Sequence, residues 1–87
     1  MFTPEFVLPD RGECVLVTNH SLESDEAVRL SLDFVLARIA FGRRHLPAEI
    51  RTCRVVYDIR GQLISETVIA AIAAAVGTAA RVEFKRE

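Results

Sequence analysis

Two short apolar runs separated by a long helix pattern constrain this chain more than any other feature of its sequence. The first run is Cys14–Thr18 and the second is Arg54–Ile59, and β-branched residues are frequent in both. A helix pattern follows each run, and an alternating run, Arg81–Lys85, follows the second helix pattern. Strands that alternate with helices favour parallel pairing within one sheet. The sequence therefore predicts βαβ units.

A further strand candidate, Phe6–Leu8, precedes the first apolar run, and the turn Pro9–Gly12 joins the two as a hairpin. The predicted order is thus β-β-α-β-α-β. A chain of 87 residues has room for a single domain, so we predict one domain over residues 1–87. Its class is α/β, with α+β as the open alternative. We expect a four-stranded mixed sheet with both helices on one face, and we expect the run Cys14–Thr18 to be buried on both sides.

The first helix carries two apolar stripes, whereas a surface helix normally has one. Ser21 or Ser24 is expected to cap its first turn, and Gly42 is expected to end it. The first stripe contains Val28, Leu32, Val35 and Ile39, and the second contains Ala27, Leu30, Phe34, Ala37 and Phe41. Two stripes indicate two packing surfaces, of which the sheet is one.

The second helix is apolar all round, which is typical of a helix buried on every side. Ser65 caps this helix, Glu66–Val76, and Gly77 follows as its C′ residue. Either the two helices cover each other's spare faces, or a second copy or a partner chain covers them. The residues expected in such an interface are Leu30, Phe34, Phe41, Ala71 and Ala74.

Composition excludes several classes of protein. With 51% hydrophobic residues the chain can bury enough surface to fold, and with a net charge of -1 it is not a bulk electrostatic nucleic-acid binder. No apolar run approaches the roughly 20 residues of a membrane span, so we expect no membrane partner. The first nine residues lack the basic and apolar regions of a signal peptide, so we predict a cytoplasmic location. Cys14 and Cys53 lack metal-site spacing, and no glycine-rich phosphate loop occurs. We therefore predict neither a metal nor a cofactor.

A group of basic residues near the end of the first helix leaves nucleic-acid binding open. Single-strand binders combine such charge with several stacking aromatic residues, whereas only Phe41 lies within this group. Complementing the negative end of the helix explains the group more simply. Its members are Arg38, Arg43, Arg44, His45, Arg51 and Arg54.

Two polar turns follow the two apolar runs, and parallel pairing would bring them to the same edge of the sheet. The helix N-termini at this edge favour an anionic ligand, and an arginine adds a charged fork for phosphate. Capping and ion pairing are the structural alternatives for these residues. The expected ligand-binding residues are Asn19, Ser21, Arg60, Gly61 and Gln62, and the candidate acid–base residues are His20 and Asp58.

The run Val55–Ile59 leads into Arg60-Gly61-Gln62, then Ile64-Ser65, an apolar helix and Val82–Phe84. This order of apolar strand, D-x-R-G-Q motif, capped helix and final strand resembles the last segment of bacterial polymorphic (contact-dependent-type) toxin C-termini. The resemblance implies a secreted effector that acts on nucleic acid or a nucleotide and is held by an immunity partner. The residues that match the motif are Asp58, Arg60, Gly61 and Gln62, and the resemblance assigns them no catalytic role.

Three functional hypotheses follow. The first is a small interaction or regulatory module that works through a homodimer or a partner chain. The second is an effector acting on nucleic acid or another phosphate-bearing substrate, so that whether the chain is an enzyme stays open. The third is a non-catalytic domain that binds an anionic ligand. We rank the first highest because the apolar excess is read directly from composition, whereas the site depends on an expected strand order.

Overall fold

The chain is a small α/β domain with two helices and a three-stranded parallel sheet. A computed structural model describes residues 5–10, 13–45, 52–77 and 79–86. The elements in chain order are β1 (Glu5–Asp10), β2 (Glu13–Thr18), α1 (Asp25–His45), β3 (Thr52–Asp58), α2 (Glu66–Val76) and β4 (Arg81–Lys85). Strands β2, β3 and β4 pair in parallel, with β3 between the other two.

One hydrophobic core joins the sheet to both helices. Leu16, Val55 and Val82 are register partners on three neighbouring strands and therefore point to the same face of the sheet. Val35 of α1 and Ile72 of α2 belong to the same buried cluster as Leu16 and Val55. Both helices consequently pack on one face of the parallel strands.

The first apolar stripe of α1 faces this core, as its spacing predicts. Ser24 caps the helix, because its hydroxyl accepts a hydrogen bond from the backbone N–H of Ala27 at 3.1 Å. Gly42 does not end the helix, contrary to expectation, and α1 continues to His45. Gly42 is buried on the same side as Ile39, and packing overrides the weak helix preference of glycine at this position.

The limits of α2 are those predicted. The Ser65 hydroxyl accepts a hydrogen bond from the backbone N–H of Val68 at 3.2 Å. Gly77 has a right-handed backbone conformation with φ -61°, and its N–H donates to the Ala73 carbonyl at 2.8 Å. Gly77 therefore continues the helical geometry as the C-cap, and the prediction of a C′ residue was wrong by one position.

Strand limits differ from the expected ones except for β4, which is as predicted. β3 covers Thr52–Asp58 instead of Arg54–Ile59, and β1 extends through Pro9 and Asp10, which were expected in the turn. Arg11, Gly12 and the connector Leu46–Ile50 lie outside the described residues.

The expectation that β2 is buried on both sides holds for only part of the strand. Cys14 and Leu16 are almost completely buried beneath the helices. On the other face Val15 is also buried, but Val17 remains 38% exposed. The reason is that both helices lie on one face, so a continuous apolar run need not be a strand covered on two sides. Neither described helix is long and apolar enough to cross a membrane.

Candidate functional site

The turns that follow β2 and β3 lie side by side and are joined by Gln62. The Gln62 amide donates to the backbone carbonyl of His20 at 3.0 Å, and its oxygen accepts from the backbone N–H of Leu22 at 2.8 Å. One side chain thus satisfies a donor and an acceptor of the neighbouring turn. In this arrangement Gln62 ties the two turns together, which is a structural use of a residue expected to bind ligand.

A tight turn after β3 presents Gln62 in this position. The N–H of Gln62 donates to the Ile59 carbonyl at 3.1 Å. Gly61, the third residue of the turn, has φ +86°, a value typical of that position in a type II turn. Most side chains avoid this conformation, so the turn itself explains the glycine.

Asp58 is paired with Arg60 and does not contact His20. The Arg60 guanidinium donates from Nε to Oδ1 at 2.9 Å and from Nη2 to Oδ2 at 2.8 Å. This hydrogen bonding lowers the pKa of Asp58 from 3.8 to about 2. The structure therefore does not bring the two candidate acid–base residues, His20 and Asp58, into contact, and a carboxylate with so low a pKa is a weak base.

His20 takes part instead in a hydrogen-bonded network that reaches into the core. Its Nδ1 lies 2.7 Å from the hydroxyl oxygen of Ser31, which lies 3.2 Å from the hydroxyl of Tyr57. Ser31 and Tyr57 are buried, and burial lowers the pKa of His20 and raises that of Tyr57. A neutral His20 that accepts at Nδ1 allows Ser31 to donate to His20 and accept from Tyr57.

Ser31 and Tyr57 were not predicted as members of any site. The sequence features that could have indicated them are a serine on the edge of the core-facing stripe of α1 and a tyrosine within an apolar strand. Buried hydroxyls need hydrogen-bond partners, so two of them in neighbouring elements indicate a shared contact. The sequence alone does not show that His20 is the third member of this hydrogen-bonded network.

The second apolar stripe of α1 is exposed, so α2 does not cover it. We call Ala27, Leu30, Phe34, Ala37 and Phe41 the outer stripe. Leu30 is 55% exposed, Phe41 48% and Phe34 37%. The Arg38 guanidinium lies about 6 Å from the ring centres of both Phe34 and Phe41. The alternative in which the two helices bury each other's spare faces is thereby excluded for α1.

The outer stripe and the His20 network meet at one groove. The His20 and Phe34 rings are in edge-to-face contact, with centroids 5.4 Å apart. The groove has a volume of about 330 Å³, and Leu30, Phe34, Ser31 and His20 are among its lining residues. The exposed apolar surface of α1 therefore begins at the turn where a site was expected.

The outer face of α2 is also exposed, contrary to the prediction of burial on every side. Ile69, Ile72 and Val76 are buried, whereas Ala71 and Ala74 lie at the surface. Four alanines cover this outer face with little side-chain area, so an all-apolar sequence does not require a partner on every side. They are Ala70, Ala71, Ala74 and Ala75.

The remaining residues that were predicted or weighed as site residues do not cluster into a metal or catalytic site. Asn19 and Ser21 are exposed in the turn after β2, and Ser24 is the helix cap. Cys14 and Cys53 are register partners in the core, where burial and the neighbouring Cys53 raise the pKa of Cys14. Within the described residues no group of three potential metal ligands occurs.

The basic group near the end of α1 is divided between two surfaces. Arg43 donates to the backbone carbonyl of Ala79, at the far end of α2. Arg54 lies on the face of the sheet opposite the helices, where it pairs with Glu83 at 3.1 Å. Arg51 lies outside the described residues. The described members thus do not form one continuous basic patch for nucleic acid.

No family model, curated protein or solved structure matches this chain.

Proposed function

We propose that the protein is a small interaction module that acts as a homodimer through the outer stripe of α1. The observation that carries this proposal is the exposure of Leu30, Phe34 and Phe41 along one side of a 21-residue helix. A stripe spaced at helical intervals fits a partner helix, because side chains three and four residues apart form one continuous ridge.

Charge supports a second copy of the same chain as the partner. Glu26 and Arg44 are both exposed and lie 18 positions apart, which corresponds to about five helical turns. They therefore flank the outer stripe on the same side, one near each end. In an antiparallel pair centred near Phe34, Glu26 of each copy lies close to Arg44 of the other. In a parallel pair the two-fold axis runs along the helices, so Glu26 of one copy and Arg44 of the other lie on opposite sides of the interface and near opposite ends. Only the antiparallel dimer therefore brings these unlike charges together.

Self-association through β4 is less favourable on the same physical grounds. An antiparallel pair of β4 strands centred on Glu83 would place Arg81 opposite Lys85 and Glu83 opposite its own copy. Like charges directly opposite each other destabilise a strand pair. Charged side chains on an edge strand are a common way of preventing such pairing.

The proposed module includes the four-stranded mixed sheet, with β1 paired antiparallel to β2. The register of Phe6 with Leu16 and of Val7 with Val15 supports this arrangement. Strand β1 would then occupy one edge of the sheet and β4 the other. Neither edge is needed for association through α1.

Sedimentation velocity of matched variants tests the proposal. Phe34→Asp places a charge at the centre of the outer stripe and should convert the dimer to a monomer, with an unchanged circular dichroism spectrum. Leu63→Asp is the control, because Leu63 is 94% exposed but lies in the loop before α2. A dimer that survives Phe34→Asp would contradict the proposal.

Charge reversal tests the antiparallel arrangement. Glu26→Arg and Arg44→Glu should each weaken the dimer, and the double variant should restore it. Ala71→Arg and Ala74→Arg should leave the dimer intact, since they lie on α2. Dissociation by the α2 variants alone would place the interface there instead. A wild-type monomer would reject the homodimer and leave a different partner chain, such as an immunity-type protein.

A further inference from the structure

A second concave surface lies beyond the carboxyl ends of β3 and β4, away from the outer stripe. Arg60 follows β3 and Arg86 follows β4, and both line a cavity of about 140 Å³. The strands are parallel neighbours, and the N–H of Ile59 bonds to the Lys85 carbonyl at 3.1 Å, so their ends stay in register. Ligands of open parallel sheets commonly bind at such strand ends.

The charged residues described in the cavity wall are both arginines. Their carboxylate partners lie outside the wall: Asp58 holds Arg60, and Glu66 holds Arg86 with an Nη1–Oε2 distance of 2.8 Å. These pairs fix the directions of the two guanidinium groups. Glu66 is largely exposed and Arg86 half exposed, and an exposed ion pair contributes little stability. An incoming dianion can therefore compete for Arg86.

Apart from the two arginines and Gln62, the wall is apolar and open. Ile64 and Ile69 contribute hydrocarbon surface, and Gly61 leaves the backbone approachable, since a Cβ placed there would meet nothing within 4 Å. Cavities for drug-sized ligands begin at about 300 Å³. A volume of about 140 Å³ thus suits a phosphate with a few carbon atoms, and a larger ligand would extend beyond the cavity.

We propose that this cavity binds the phosphate group of a small phosphomonoester, held between Arg60 and Arg86. Planar guanidinium groups match phosphate oxygens in two-point hydrogen bonding. The short organic part of the ligand lies against Ile64 and Ile69. The site is on a different surface from the outer stripe and does not depend on dimer formation.

Calorimetric titration with inorganic phosphate and with propyl phosphate tests this site. We expect propyl phosphate to bind more tightly than inorganic phosphate, because its alkyl chain covers apolar surface. Arg86→Gln and Arg60→Gln should each weaken binding by about tenfold or more. Arg81→Gln is the matched control, since Arg81 is an exposed arginine of β4 outside the cavity wall. Equal binding by all four proteins, or no binding of either phosphate at millimolar concentration, would overturn the proposal.

Glu66→Gln should strengthen binding, which is an effect that partial unfolding of the variant would not produce. It removes the carboxylate that competes for Arg86 and should tighten phosphate binding several-fold. Weaker or unchanged binding in a folded Glu66→Gln protein would contradict the assignment of Arg86 to the site. Thermal unfolding followed by circular dichroism confirms that each variant is folded.

Discussion

The Nδ1 atom of His20 lies 2.7 Å from the hydroxyl oxygen of Ser31, so the turn after β2 is tied directly to a buried residue of α1. Ser31 also contacts the hydroxyl of Tyr57 in the central strand. The three side chains connect a loop, a helix and the sheet through one polar network. Two of them, His20 and Ser31, also line the groove where the outer stripe begins.

Removing the middle member of this network should destabilise the fold. Ser31→Ala leaves the Tyr57 hydroxyl and the His20 ring without their shared partner, at a cost of about 1–3 kcal/mol in the free energy of unfolding. Urea denaturation measures this loss, with the exposed Ser21→Ala as the control. In the Ser31→Ala background, Tyr57→Phe should lower the free energy of unfolding by less than it does in the wild type. Additive costs would show that the hydroxyls do not interact.

Stability should fall below neutral pH because of His20. Burial lowers its pKa below 6.5, so the unfolded chain binds more protons than the folded protein as the pH drops below that value. The free energy of unfolding is therefore insensitive to this group above pH 6.5 and decreases below it. Urea denaturation at a series of pH values should give a smaller decrease for His20→Gln than for the wild type. The exposed His45→Gln serves as the control, and identical profiles for wild type and His20→Gln would refute this prediction.

Asp58 should titrate at unusually low pH. The hydrogen bonds from Arg60 lower its pKa to about 2, and its stabilising effect is present above pH 3.8 and lost as the pH falls toward 2. Arg60→Ala should return the pKa most of the way to 3.8. Carboxyl ¹³C chemical shifts measured across this range report the value, and Arg81→Ala provides the control. An Asp58 pKa that does not move with Arg60→Ala would show that another group sets it.

Gln62 should matter for stability more than for ligand binding. Gln62→Ala removes the hydrogen bonds to Leu22 and His20 and should lower the free energy of unfolding by about 1–2 kcal/mol. Gln62→Glu keeps an acceptor for Leu22 but loses the donor to His20, so its loss should be partial. Urea denaturation separates the two variants. Equal stability of wild type and Gln62→Ala would show that the turns hold their positions without this side chain.

The elements whose local signals agree could be predicted from the sequence. The Ser65 cap and the apolar run after it fix α2, and strict alternation fixes β4. Gly42 misled the prediction of where α1 ends, because its local preference is overridden by burial in the last turns of the helix. The exposure of Val17 was not predicted, because an unbroken apolar run does not show which face of the sheet the helices cover.

The neighbouring positions of the two turns could be predicted from the sequence, but the side-chain pairings within them could not. The hydrophobic pattern predicts parallel strands, and parallel strands bring the turn at His20 beside the turn at Gln62. Asp58 instead pairs with Arg60, two residues away, because a tight turn places the two side chains together. The contact of His20 with Ser31 depends on the rotation of α1 about its own axis. The hydrophobic pattern shows which face of α1 packs on the sheet, but it does not give the exact rotation.

Light scattering of the wild-type protein at two well-separated concentrations tests the central claim most directly. Exposed Leu30, Phe34 and Phe41 predict a mass of twice 9.7 kDa that is retained on dilution to micromolar concentration. A mass of 9.7 kDa at both concentrations would contradict a homodimer formed through the outer stripe of α1.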